Sequence, residues 1–384
     1  MIENALVEEM KNLRYSLHQA PEVAHQETGT AAQIATYLQK HNPDELHTGL
    51  GGNGIVALYQ GAEPGPRLFF RCELDALPIT ERNDLPYRSQ REGFGHQCGH
   101  DGHMAMVAAL GAILGKEPLR RGSVGLLFQP AEETGEGAQK LLSDPRFTAL
   151  QPDMLFALHN LPGYPAGTVI IPQGLFASAS VGLKVTLHGA PSHASHPEGG
   201  RNPALAAAHM IQALMAIPGQ YTAFGQAALI TPVHVQVGQP AFGTSPGKGE
   251  LGFTLRCHRN AELALLQERC EILIDALAKA YDLRFTWHYV ESFATVENDP
   301  ALRAQVVELA LEGGYSILEP EDPFSWSEDF GLLSGAYRGV MFGLGAGEKH
   351  PQLHNENYNF PDELLPVGLD MYHRLVQYYL GDNS

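Results

Sequence analysis

The chain has 384 residues, 44% hydrophobic and 18% charged, with 41 glycines and 26 prolines spread along it rather than gathered into tracts. That length exceeds one ordinary core and predicts two domains, or three, folded throughout without disordered stretches. A formal charge of −18 opposes phosphate backbones and anionic lipid, so neither nucleic acid nor a membrane is an expected partner, and no window is apolar enough to span a bilayer.

The first residues, Met1-Ile2-Glu3-Asn4, offer neither a basic lead nor an apolar run and do not read as a secretory signal. Together with just four cysteines, Cys72, Cys98, Cys257 and Cys270, this predicts a reducing, cytoplasmic setting, with all but Cys98 serving as small core residues.

Taken in chain order, Leu6, Met10, Leu13 and Leu17 predict a helix over 4–19 that Pro21 stops. A second helix starts at Thr28 or Thr30, capped by a hydroxyl, and runs to Asn42-Pro43. Continuous apolar runs at 54–59, 67–72, 123–128 and 154–158 suit strands buried on both faces. Between the second and third of these, 101–114 reads as a helix opened by a capping Asp101 and closed by Gly115. The alternation predicts an α/β domain with a mixed, mostly parallel sheet.

From 177 to 290 the strands alternate apolar and polar positions, as at Val181, Leu183, Val185 and Leu187, with helices over 202–217 and 260–281. This stretch is expected to be a smaller α+β domain inserted into the first, which comprises 1–176 and 291–384 and resumes with strands at 315–317 and 339–344.

Chemistry concentrates at strand exits. His96-Gln97-Cys98-Gly99-His100-Asp101-Gly102-His103 lets thiolate and imidazole turn from either side of a glycine toward one point, a donor pair suited to zinc-like ions. Hydrogen-bonded loop histidines fit the same spacing, and structural or supporting roles fit His96 and His103. Gln129-Pro130-Ala131-Glu132-Glu133 follows a buried strand directly, at the end where open α/β sheets bind ligands. One glutamate there can hold a metal while its neighbour moves protons; a solvated acidic loop is the alternative. Arg71-Cys72-Glu73-Leu74-Asp75 and Leu158-His159-Asn160 leave two further strands with carboxylates and a histidine. Each alone is compatible with a structural hydrogen bond, but such side chains at four strand exits point to one site. Ser192-His193-Ala194-Ser195-His196 and the loop His350 to Asn357 add histidines on turns.

With Leu17-His18, Pro21-Glu22 and Glu27-Thr28 before these motifs and Ser327-Glu328-Asp329-Phe330 after them, the chain resembles the M20 peptidase-type amidohydrolases nearly end to end. The resembling group contains hippurate hydrolases, N-acyl-amino-acid deacylases and auxin-conjugate hydrolases. The resemblance implies a metallopeptidase-like catalytic domain with an inserted lid or dimerisation domain, in a homodimer or higher oligomer. It implies hydrolysis of the amide bond of small N-acylated amino acids, with short peptides as the alternative substrate. Two divalent ions, whether zinc, manganese, nickel or cobalt, would be held by Cys98, His100, Glu133, His159 and His354, the thiolate bridging. Glu132 would be the general base and Asp75 an orienting carboxylate. His193, ahead of His196, would be the oxyanion donor, brought by the inserted domain of a partner copy. Arg256 would grip a substrate carboxylate, although a surface arginine fits its strand position as well.

The chain departs from the pattern at Glu73, where aspartate is usual, and at Glu198 and Asn202, which replace a histidine and an aspartate. Gly243-Thr244-Ser245-Pro246 likewise stands where an Asn-x-x-Pro turn is common. These changes spare the metal set and fall mainly where substrate is read. Two other readings stand beside the leading one: Cys98 as a covalent nucleophile with His100 or His103 as base, and a metal-holding protein without turnover, against which Glu132 argues.

Overall fold

Unbroken apolar runs become the central strands of one eight-stranded sheet in the computed structural model, which describes residues 2–381. Met1 and residues 382–384, the outermost ends of the expected catalytic domain, lie outside the described residues. The sheet order is Glu45–Leu50, Gly54–Gln60, Arg121–Gln129, Glu63–Glu73, Met154–Leu161, Arg338–Gly345, Val169–Ile170 and Ile317–Leu318. Its central strands, Arg121–Gln129 through Arg338–Gly345, run parallel, with antiparallel neighbours on either side. Their interiors, such as Leu68–Phe70 and Leu126–Phe128, are fully buried, as parallel strands covered on both faces require.

Parallel strands share a direction, so their carboxyl ends leave the sheet along one edge. Glu73 is in register with Gln129 and His159 with Gly343, which sets the segments following each of them side by side.

The helix His100–Leu114 is buried at every residue but Ile113. A helix that is apolar all round belongs in a core. Here the N-terminal helix Asn4–Gln19, the C-terminal helix Leu364–Leu380 and the strand Glu63–Glu73 pack around it. Its start corrects the expected cap: Gly99, with φ +90°, precedes it without a side-chain cap bond. The Asp101 carboxylate instead meets Arg14 and His18, since a buried cation competes for it better than a backbone amide does. Neither threonine caps the second helix, Thr28–Gln39; Thr30 donates its hydroxyl to Glu22.

The chain divides into two compact units. The first comprises the residues up to Phe176, Val296–Pro323 and those from Glu328 on; the second comprises Ala177–Thr295 and Phe324–Ser327. The second unit is an antiparallel sheet in the order Ala228–Val237, Lys248–Cys257, Ala179–His188 and Arg284–Phe293, with the helices Ala204–Tyr221 and Asn260–Ala280. It has a core of its own that includes Leu183, Leu255, Met210, Leu214, Leu266 and Ile274. Its last strand continues past Val290 because pairing resumes after a bulge, Phe293 opposite Ser180. In the first unit the late strand is Ile317–Leu318 rather than 315–317, because the Tyr315 amide closes the preceding helix on the Ala310 carbonyl. No described helix is long and apolar enough to cross a membrane.

Gly102 tests how tightly the central helix is held. A Cβ there would stand 2.5 Å from the ring of Phe360, which is fully buried. Alanine gains about 1 kcal/mol of helix propensity, but overpacking a filled core costs about 1–3 kcal/mol and the buried ring has nowhere to move. Gly102→Ala is therefore expected to lower the midpoint of urea unfolding; an unchanged or raised midpoint contradicts the packing described.

Candidate metal centre

The loops leaving the parallel strands bring the predicted donors of the first unit together. The donor atoms of Cys98, His100 and His159 lie within 4.8 Å of one another, as do those of Cys98, Glu133 and His354, so the two triads share the thiol. Cys98 Sγ is 3.5 Å from His159 Nε2, His100 Nε2 is 3.8 Å from Glu133 Oε1, and His354 Nε2 is 3.5 Å from Glu133 Oε2. The first is within reach of a thiol–imidazole hydrogen bond; the two histidine–glutamate spacings exceed good hydrogen bonds, and His100 Nε2 and Glu133 Oε1 are both buried without a hydrogen-bond partner.

Local backbone explains the convergence. Gly99, in the left-handed region, turns the chain between Cys98 and His100 where a Cβ would strike Asn160. His354 also has a positive φ, +63°, and its amide donates to the Gln97 carbonyl at 2.9 Å. That bond ties the late loop to the cysteine loop across the length of the sequence. His100 is oriented by the backbone carbonyl of Asp75, 2.8 Å from Nδ1. The Asp75 carboxylate accepts instead from the Glu133 amide at 2.9 Å, and its other oxygen has no partner. Glu132 is buried beside the donors, with Oε2 4.0 Å from His100 Nε2.

The electrostatics of the group are one-sided. Burial, followed by repulsion from Glu328, Glu133, Asp329 and Asp75, pushes Glu132 well above the usual carboxylate range. Glu133 is raised likewise by burial and then Asp75, and burial lifts Asp75 to about 8. Burial and then Glu133 and Glu132 push the Cys98 thiol well above its ordinary value. His100 and His159 are held neutral by burial, His159 at about 3, the form in which imidazole ligates metals.

Behind the donors stands a network that sequence reasoning missed. Arg71, fully buried, donates from Nε to Gln129, from Nη1 to Glu73, and from Nη2 to Glu328 at 2.8 Å and Asp329 at 2.7 Å. Glu73 also meets His103 Nδ1 at 2.6 Å, His103 Nε2 lies 2.5 Å from Asn160, and Asn160 donates to Tyr358. The available signal was a lone arginine inside an otherwise apolar run, Leu68 to Cys72. His96 is buried with neither ring nitrogen hydrogen-bonded.

Residues 69–378 match the model of peptidase family M20/M25/M40. The chain belongs to this family. Among its relatives, an N-acetyldiaminopimelate deacetylase of Anoxybacillus flavithermus is 30% identical over 370 residues, covering 95% of this chain and 96% of that one. An N-acetylcysteine deacetylase of Bacillus subtilis is 26% identical, with 98% of each chain covered. Among solved structures, the Bacillus subtilis YXEP protein, a dinuclear metal-binding peptidase from the M20 family, superposes with a TM-score of 0.81 at 25% identity, covering 97% of this chain and 98% of that one. As an M20 family member with such relatives, this chain is a metal-dependent hydrolase of amide bonds.

Two predicted residues of this M20 chain lie in the second unit. His193 is exposed on a short ladder opposite Thr244, with Nδ1 2.6 Å from the Ser195 hydroxyl, which is itself 2.9 Å from His196 Nδ1. Arg256 donates from Nη1 to the Ser325 carbonyl at 2.6 Å and the Ser327 hydroxyl at 2.7 Å.

His18 allows a pH test beside the centre. Its ring nitrogens face Asp101 at 2.9 Å and Glu81 at 3.1 Å, so both must carry protons. Burial opposes that charge, but the bonds to Asp101 and Glu81 outweigh it and raise His18 from 6.5 to about 9. The folded state thus holds this proton more tightly than the unfolded one. The stability it contributes is fully present below pH 6.5 and is lost as pH rises through about 9, with a limiting slope of about 1.4 kcal/mol per pH unit. Urea unfolding of metal-free protein should show that fall relative to His18→Gln; parallel pH profiles contradict it.

Proposed function

We propose that this chain removes the acyl group from small N-acylated amino acids at a centre of two divalent ions held by Cys98, His100, Glu133, His159 and His354. The observation that carries the reading is the pair of donor triads sharing Cys98, with the buried His100 Nε2 and Glu133 Oε1 left without partners 3.8 Å apart. Within the triads, Cys98 Sγ and His159 Nε2 in one and Glu133 Oε2 and His354 Nε2 in the other are each 3.5 Å apart, roughly the separation of atoms that ligate one ion at about 2.1 Å each. The donors fit: soft thiolate, neutral imidazole and carboxylate together suit zinc, manganese, nickel or cobalt, and the charges that make these carboxylates costly alone favour cations among them.

Such ions, when bound, acidify water and polarise the amide carbonyl. Glu132 accepts a proton from the attacking water at a carboxylate oxygen and returns it to the departing amine nitrogen. Asp75 fixes the Glu133 backbone through its amide. In this reading His193 supplies the hydrogen bond to the oxyanion, and the active form is a homodimer in the cytoplasm. The four free, buried cysteines support a reducing compartment. The names of the deacetylase relatives favour a short acyl group such as acetyl.

A cysteine-nucleophile reading is disfavoured, because burial, and then the neighbouring Glu133 and Glu132, push the Cys98 thiol up, the reverse of what activates a thiolate. A peptidase acting on dipeptides uses the same residues and is separated by substrate.

Glu132→Gln is expected to keep metal uptake, measured by elemental analysis, while turnover of N-acetyl amino acids falls about a hundredfold or more. Turnover equal to the parent, or a parent indifferent to chelators, overturns the proposal; faster hydrolysis of dipeptides than of N-acetyl and N-benzoyl amino acids favours the peptidase. Arg256 is partly buried and meets neutral oxygens, with no carboxylate paired to it among the described residues, which suits it to a free substrate carboxylate. Arg256→Gln should raise KM about tenfold or more for N-acetyl amino acids and leave the matching N-acetyl amines unaffected. An equal effect on both removes this role.

A further inference from the structure

The motifs Leu17-His18, Pro21-Glu22 and Glu27-Thr28 take no part in the chemistry above, yet Arg14, His18, Glu22 and Glu27 are all buried. We propose that the segment from Arg14 to Glu27 is the positioning element of the centre, gripping at three points the residue next to a functional one. This inference rests on the two-ion reading of the site.

The first grip is on Asp101, which follows the ligand His100: Arg14 Nη1 and His18 Nδ1 each lie 2.9 Å from Asp101 Oδ2. Arg14 also reaches Asn359 at 3.2 Å and Asp362 at 2.8 Å, in the segment that follows the ligand His354. One guanidinium therefore holds two ligand segments far apart in sequence. The second grip is on Ala76, which follows Asp75; its amide donates to the Glu22 carbonyl at 2.8 Å, and Val23 bridges Ala76. The third is on Ala131, which precedes Glu132: its amide donates to Glu27 Oε1 at 2.8 Å, while Asn53 donates to Glu27 Oε2 at 2.8 Å.

The third grip is the most telling. Ala131 has φ +52°, a region L-residues avoid unless their surroundings impose it. The turn it makes swings the chain from the strand Arg121–Gln129 so that Glu132 stands beside His100. Without the Glu27 carboxylate, a buried amide is left unpaired in a strained turn, and the extended conformation that relieves it moves Glu132 away.

The contacts separate by function, and so does the test. Full-length, metal-free parent and variants are titrated with cobalt(II), following thiolate-to-cobalt absorption and competition with a chromophoric chelator; kcat and KM for an N-acetyl amino acid are then measured at saturating metal. Asp101→Asn, which keeps the shape but loosens the ligand side, should weaken cobalt affinity about tenfold. Glu27→Ala should keep cobalt affinity and lower kcat on the order of tenfold to a hundredfold with KM unchanged. Glu27→Gln, whose amide oxygen still accepts from Ala131, should recover most of that rate. Where Glu27→Ala does not fold, Asn53→Ala loosens the same carboxylate without emptying its place and should show the same loss confined to kcat. Variants that lose only thermal stability, with affinity and kcat within about twofold of the parent, overturn this inference alone. A parent that takes up no cobalt overturns the two-ion reading and this inference with it.

Discussion

The site depends on one constraint, a deficit of positive charge where many acids are buried together. Glu73, Asp75, Glu132, Glu328 and Asp329 all lie inside the protein at the carboxyl edge of the parallel strands, where an unpaired carboxylate is expensive. Arg71 is the guanidinium among them, and each of its nitrogens is committed: Nε to Gln129, Nη1 to Glu73, Nη2 to Glu328 and Asp329. Nothing of Arg71 is left for Asp75, Glu132 or Glu133. Among the acids farther from the donor triads Arg71 supplies one guanidinium for three carboxylates, and those nearest receive none of its nitrogens. A shortage that deepens toward the donor triads favours a centre that takes up ions over an acidic loop that water would solvate.

The same arrangement assigns work to residues that hold no ion. Glu73 joins Arg71 to His103 with one carboxylate, and His103 passes the constraint to Asn160, which follows His159 in its strand. A glutamate reaches both partners from the strand end, which gives the departure from aspartate at this position a physical use. The bonds along this line fix the His159 backbone and leave its Nε2 facing Cys98, as partners behind a ligand do when they set its orientation.

Much of this was legible in sequence because the parallel strands announce themselves as unbroken apolar runs, and the carboxyl end of such a strand is where a site belongs. The runs ending at Glu73, Gln129 and Leu161 did so, which brought Asp75, Glu132, Glu133 and His159 into view. What stayed hidden had two causes. Asp101 carried the local signature of a helix cap, and a tertiary contact with Arg14 and His18 took its carboxylate instead; no window of neighbouring residues contains that information. Arg71 and Asn160 act through partners far away in sequence, and a charged residue in an apolar strand does not reveal what it will face.

The N-terminal contacts share a feature that bears on how such centres are held. The donor atoms of His100 and Glu133 are valuable because they are unoccupied, and a direct hydrogen bond to one of them would consume the lone pair an ion requires. Contacts to Asp101, Ala76 and Ala131 avoid that cost, since the peptide link carries the restraint to the adjacent residue while its side chain stays open. The Asp75 carbonyl on His100 Nδ1 follows the same logic from within, occupying the nitrogen that faces away and leaving Nε2 toward Glu133. A centre preorganised in this way need not assemble its ligands when an ion arrives, so less ordering opposes binding. The early helix and its following turn therefore belong to the site in energetic terms, although none of their side chains is among the clustered donors.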